Sequence, residues 1–190
     1  MQKFEDIFGK YIEKSCHNSS LLESDVIGLQ IATEDNAIRV ALSSPCIIPY
    51  SAIAEAQRIL SMNLSARSVA ISARYPSELL GPEAFSLVID YLKAANVPVN
   101  GFFRRAEIMY DNRCFTVRLP EQTVTFLEPL ALPGKIAAQA EALFGIRPQV
   151  SFIPVPDYEL KPIDPRPTVV DDYIPEIPPI PEEAPPWEDA

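Results

Sequence analysis

One order of elements occurs twice in this chain: a short amphipathic helix, a tight hairpin of alternating strands, a second helix and a closing strand beside proline. The first unit runs from about Met1 to Pro76 and the second from about Ser77 to Asp157. A pattern used twice at this length leaves little unassigned sequence in which a large active site could be built. It predicts an α+β fold of two small sheets, each carrying helices on one face. In the first unit Phe4, Ile7, Phe8, Tyr11 and Ile12 share one face at helical spacing, which predicts a helix over 3–15. After the polar break CHNSS, residues 26–33 and 38–42 alternate in hydropathy around the turn-forming Glu34-Asp35-Asn36-Ala37. Leu29, Ile31, Ile38, Val40 and Leu42 are expected to form the inner face of that hairpin and to supply the first core. Tyr50, Ile53, Gln57, Leu60 and Leu64 predict a helix over 50–62. The run SVAISA at 68–73 predicts a strand that ends at Arg74-Tyr75-Pro76.

The second unit opens with Gly81-Pro82, and proline suits the first position of a helix. Phe85, Val88, Ile89 and Leu92 line that helix's buried face. Segments 106–110 and 114–119 flank Asp111-Asn112-Arg113 as a second hairpin. A helix over 133–144 follows, with Ile136, Ala140, Leu143 and Phe144 inward, and Gly145 stands where a left-handed cap is common. QVSFI at 149–153 closes the unit. Units of about 75 to 80 residues have little stability to spare, so the two halves are expected to lean on each other. The expected domains are therefore 1–76, 77–160 and a tail over 161–190. In that tail nine of thirty residues are proline and eight are acids, which predicts an extended, disordered spacer.

Charge and cysteine use narrow the classes. The formal net charge is -10. Residues 161–190 hold eight acids against Lys161 and Arg166, and residues 1–160 hold eighteen acids against fourteen bases. Neither part is the basic surface that neutralises phosphates. Cys16, Cys46 and Cys114 form no CxxC, and His17 is the lone histidine, so a zinc site lacks ligands. Three unpaired thiols, an N-terminus unlike a signal peptide and the lack of a long apolar run point to a cytoplasmic protein with no membrane contact.

Chemistry-bearing candidates each have a plainer reading. Asp171-Asp172 is the only adjacent carboxylate pair that resembles a metal-binding dyad, but it falls in the proline-rich tail, where a solvated linker charge is the default. Phosphate-cradling and nucleophile-elbow signatures are absent, so no catalytic residue, metal site or cofactor is expected. Each unit's element order suits a KH-like α/β sandwich, which brings RNA and single-stranded DNA into consideration. The backbone-clamping GxxG loop is missing, since no two of the six glycines lie three apart. What remains is Phe102, Phe103, Arg104 and Arg105, with Arg113 and Arg118 on the second hairpin. These could stack bases and hold a backbone. The acidic total favours the alternative, in which the aromatics pack and the arginines form a solvated rim. Residues 139–144 (QAEALF) are loosely similar to peptides that dock on sliding clamps, but Leu143 and Phe144 fit a buried stripe. In the tail, Trp187 among prolines and acids either anchors in a partner's groove or merely precedes a further folded element.

Taken together, these segments resemble the N-terminal region of the PolC-type alpha subunit of bacterial DNA polymerase III. The carriers are IATEDNAIRVALSSPCIIPYSAIAEAQRIL, SVAISARYP, NGFFRRAEIMYDNRCFTVRL and LALPGKIAAQAEALFG followed by QVSFIPVPD. They span nearly the whole chain and rest on apolar patterning, with RYP and NGFF as the marked spots. The resemblance implies two small N-terminal domains and a linker toward an oligonucleotide-binding domain. In the family, a 3′–5′ proofreading exonuclease, a histidinol-phosphatase-like domain and the polymerase proper lie beyond. None of those lies within residues 1–190, so no catalytic residue carries over. By analogy with an interaction domain of the clamp-loader tau subunit, the resemblance implies docking to replisome proteins. Single-stranded nucleic-acid binding and a free-standing cytosolic adaptor are the alternatives.

Overall fold

The structure, a computed structural model, describes residues 2–12, 18–99 and 101–156. The expectations for Cys16, His17, Asp171-Asp172, Trp187 and the 161–190 tail lie outside those residues. The described chain is α+β, with two small sheets and six α-helices.

The first sheet is built from β1 (Gln2–Lys3), β2 (Asp25–Ala32), β3 (Ala37–Ser43) and β4 (Ser68–Arg74), in spatial order β1-β2-β3-β4. β2 and β3 are antiparallel, whereas β3 and β4 are parallel, joined through α3 (Tyr50–Asn63). The hairpin turns through Asn36, at φ 47°. Asn36 Nδ2 donates to the Ser65 carbonyl at 3.0 Å, and the Arg67 amide donates back to the Asn36 carbonyl at 2.9 Å. These bonds tie the turn to the end of α3 and set the parallel register. α1 (Phe4–Ile12) ends at the last described residue of its segment, so the expectation for 13–15 is outside the description. A short α2 (Ser19–Leu22) forms inside the polar break, where Asn18 Oδ1 accepts from the Leu21 amide at 3.0 Å. Asn and Ser favour such N-caps, so the polarity that reads as a loop also starts a helical turn.

The second sheet has order β5-β6-β7, from β5 (Glu107–Asp111), β6 (Cys114–Pro120) and β7 (Gln149–Val155). The β5–β6 hairpin is antiparallel and β6–β7 is parallel, the arrangement of β2, β3 and β4 over again. α4 (Pro82–Ala94) and α6 (Leu132–Phe144) pack on its inner face. Gly145 ends α6 at φ 71°, the left-handed position where glycine lacks the Cβ penalty. The sequence reading missed α5 (Glu121–Leu127) and the 3₁₀ turn Glu128–Leu130 after it. The stretch EQTVTFL is rich in β-branched residues, and tertiary packing of Leu127 and Val124 overrides that propensity.

One continuous core joins the halves. Phe4, Leu42, Ile53 and Leu60 from the first unit and Phe85, Phe115, Leu132 and Ile136 from the second belong to the same buried cluster. Across the seam the Tyr75 amide donates to the Leu143 carbonyl at 2.8 Å. The Tyr75 ring lies 5.4 Å from Phe144, and Tyr50 meets Tyr91 edge-on at 4.7 Å.

Candidate functional site

The residues singled out from sequence divide into three places. Phe103 turns inward, its ring 5.4 Å from Phe85 and 6.0 Å from Phe152. Phe102 stacks on Phe126 at 5.2 Å, and Phe126 is 59 % exposed. Arg104 is exposed in the turn before β5, and Arg105 beside it is half-buried. Arg118 lies opposite Glu107 on the open face of the second sheet, with Nη1 and Oε2 2.7 Å apart. Arg113 sits at the far end of that hairpin, roughly 16 Å along the strands from Arg118. The four arginines therefore do not form one patch, and the aromatics pack more than they display. Among the described residues no cluster of three or more His, Cys, Asp or Glu side chains is placed to hold a metal. Cys46 and Cys114 are unpaired thiols. No helix among the described residues is long and apolar enough to cross a membrane.

The surface that the sequence did not single out is the first sheet itself. Helices cover one face of it and leave the other bare. Strand alternation puts Val40, Leu42, Val69 and Ile71 into the core and turns their neighbours outward. Those neighbours are small: Gly28 lies beside Ala41 and Ala41 beside Ser72, while Gln30, Arg39 and Ala70 form the next row. The result is a shallow cleft of about 470 Å³ lined by these residues. Small side chains make a smooth floor on which a partner's larger side chains can rest. A second apolar cleft of about 420 Å³ opens between α5, α6 and β7, lined by Val124, Leu127, Ala131, Pro133 and Phe152, with Glu128 at its rim.

Electrostatics separate the bare face from the rest of the molecule. Arg39 projects from its middle and Arg74 from its end, roughly 14 Å apart by strand register. Neither guanidinium has an ion-pair partner among the described residues. Asp25 shares this face but is engaged by Lys3 at 2.9 Å. The face is thus locally basic on a chain of formal charge -10.

The edge of this sheet corrects one expectation. Leu29 and Ile31 were expected in the first core; they are 47 % and 63 % exposed, and Ile27 is 41 % exposed. Register keeps Leu29 opposite Val40 and Ile31 opposite Ile38, on the helix-bearing side. On that side α3 packs against β4 and α1 against the short β1, and no helix packs comparably on β2, so the Leu29 and Ile31 stretch overhangs its support. Comparison with models of known protein families and with curated proteins finds no match to this chain.

Proposed function

We propose that this chain is a non-catalytic N-terminal segment of a PolC-type replicative DNA polymerase, acting in the cytoplasm as a docking module for replisome proteins. The observation that carries the reading is the bare, small-residue, locally basic face of the first sheet. A partner needs from it only shape and charge complementarity. The twice-used helix, hairpin, helix and strand order supports a KH-like character for each unit. The family resemblance supplies the replication context. Residues 161–190, proline-rich and acidic, would serve as the tether to whatever follows and raise the local concentration of a docked partner.

The test is retention of purified replication proteins, the clamp-loader tau subunit first, on immobilised chain. Specific retention that falls about tenfold in an Arg39→Glu/Arg74→Glu variant, and weakens with salt, is the expected result. Retention of none of them counts against docking. A second reading has its own support in the exposed Phe126 stacked on Phe102 near Arg104. That arrangement offers single-stranded nucleic acid a stacking surface. It predicts low-salt oligonucleotide binding that Phe126→Ala abolishes and Arg39→Glu/Arg74→Glu leaves largely intact.

A further inference from the structure

The two edges of the first sheet are finished differently. At β4 the neighbouring helix attends to the backbone: the Ile71 amide donates to Gln57 Oε1 at 2.7 Å. At β2, pairing with β1 extends only over Asp25 and Val26, and from Ile27 to Ala32 no described strand covers the outer side. This run is Ile-Gly-Leu-Gln-Ile-Ala, without the lysine or proline that ordinarily blunts an edge. It also carries three of the exposed large apolar side chains, Ile27, Leu29 and Ile31. Open backbone and exposed apolar groups coincide on one strand, which is the recipe for strand addition.

We propose that a second copy of this chain covers this edge, its β2 pairing antiparallel with the first across a two-fold axis at Gln30. In that register Gln30 faces its own counterpart, Leu29 faces Ile31 of the second copy, and Gly28 faces Ala32. Side-chain alternation then gathers both copies' Leu29 and Ile31 into one apolar patch on the helix-bearing side. The small residues and glutamines stay on the open side. Charge fits as well. Past Ala32 each chain turns through Glu34 and Asp35, which this register brings up to the near end of the other copy's β1 at Gln2, with Lys3 the next residue along. The contact is made twice by symmetry, and no like charges face each other within the paired run. Asp25 lies one strand further in and already pairs with Lys3. A self-complementary patch closed by a two-fold is the commonest route to an oligomer. Two four-stranded sheets become one, and the two bare faces become a single bivalent surface.

A single strand pairing buries less than a standard interface, so the dimer is weak and concentration-dependent. Sedimentation of the full chain from micromolar to millimolar concentration is expected to rise from 21.1 kDa toward twice that mass. Leu29→Lys and Ile31→Lys, both at exposed positions, are expected to lower association at least about tenfold with unchanged circular dichroism. Met109→Lys, on the open face of the second sheet, leaves association as it was. Amide exchange at 28–32 is expected to slow as concentration rises. A monomer at every concentration overturns the proposal, as does a dimer indifferent to both Leu29→Lys and Ile31→Lys or growth into open-ended polymers. Protection of 28–32 that is independent of concentration and lost when residues after Val155 are removed also overturns it, by giving the edge to the chain's own C-terminal segment. Loss of self-association in Ile31→Lys with retention of a replication partner would leave the docking function standing.

Discussion

Tyr91 carries its hydroxyl into the seam between the two halves, close to Tyr50 and Tyr75. The Tyr75 hydroxyl donates to the Ile48 carbonyl at 3.4 Å. The Tyr91 hydroxyl is buried without a hydrogen bond of adequate geometry, although the Tyr75 hydroxyl and the Ala73 backbone influence it electrostatically. Burial pushes the Tyr75 pKa up to about 12 and that of Tyr91 higher still, because a phenolate there would lose its water. Both folded values lie above the unfolded value near 10, so the native state holds its protons longer. The associated stability is intact below about pH 10 and is lost as pH rises through 12, by about 1.4 kcal/mol per pH unit for each tyrosine. Spectroscopic titration of the seven tyrosines is expected to show two that ionise only as the protein unfolds. Tyr91→Phe removes the buried, poorly bonded hydroxyl and is expected to leave stability unchanged or raise it by about 0.5–1 kcal/mol, measured by urea denaturation. A loss of more than about 1 kcal/mol would mean that the hydroxyl is satisfied after all.

At the scale of elements, the second hairpin shows how a turn can be read in sequence and still hide its geometry. Asp111-Asn112-Arg113 reads as a turn, and the structure places Asn112 at φ 48° and Arg113 at φ 61°. Two successive left-handed residues make the tight turn that matches strand twist, where glycine is preferred second. Arg113→Gly is therefore expected to stabilise the protein by about 0.5–1 kcal/mol in thermal or urea unfolding. A destabilisation would show that the arginine side chain is held by contacts worth more than the backbone strain. Legibility of the fold follows the same division. Helix α3 and strand β4 were readable because Ile53, Leu60, Val69 and Ile71 keep strict periods and all reach the core. Helix α5 was not, because Thr123, Val124 and Thr125 favour a strand locally and only packing around Leu127 makes them helical. The bare face was hidden for a related reason. Alternation in IRVALS reveals which side is apolar, but not how many strands the helices cover. Gly28, Ala41, Ala70 and Ser72 carry no chemistry of their own to attract notice, and they become a floor only once β2, β3 and β4 lie side by side. Leu29 and Ile31 have the right period for burial and lack a helix above them.

For the molecule as a whole, the seam decides whether the repeated units behave as two bodies or one. Each unit taken alone is small enough to be marginal. Tyr75 links them directly: its side chain is 5 % exposed, its ring packs on Phe144, and its amide bonds to the Leu143 carbonyl. Splitting the chain after Pro76 would strip that ring of its partner and expose the apolar faces of α3 and α4 together. Unfolding is therefore expected to be one cooperative transition, with tyrosine fluorescence and far-ultraviolet circular dichroism tracing the same urea midpoint. Tyr75→Ala removes a large buried side chain at the seam and is expected to cost about 3–5 kcal/mol, felt equally in both halves. Amide exchange separates the outcomes. If β3 and β6 lose protection together in Tyr75→Ala, the seam carries the cooperativity. If β6 keeps its protection while β3 opens, the units are independent bodies in contact. A docking surface on the first sheet would then move on its own, not with the rigid body on which a fixed binding geometry depends.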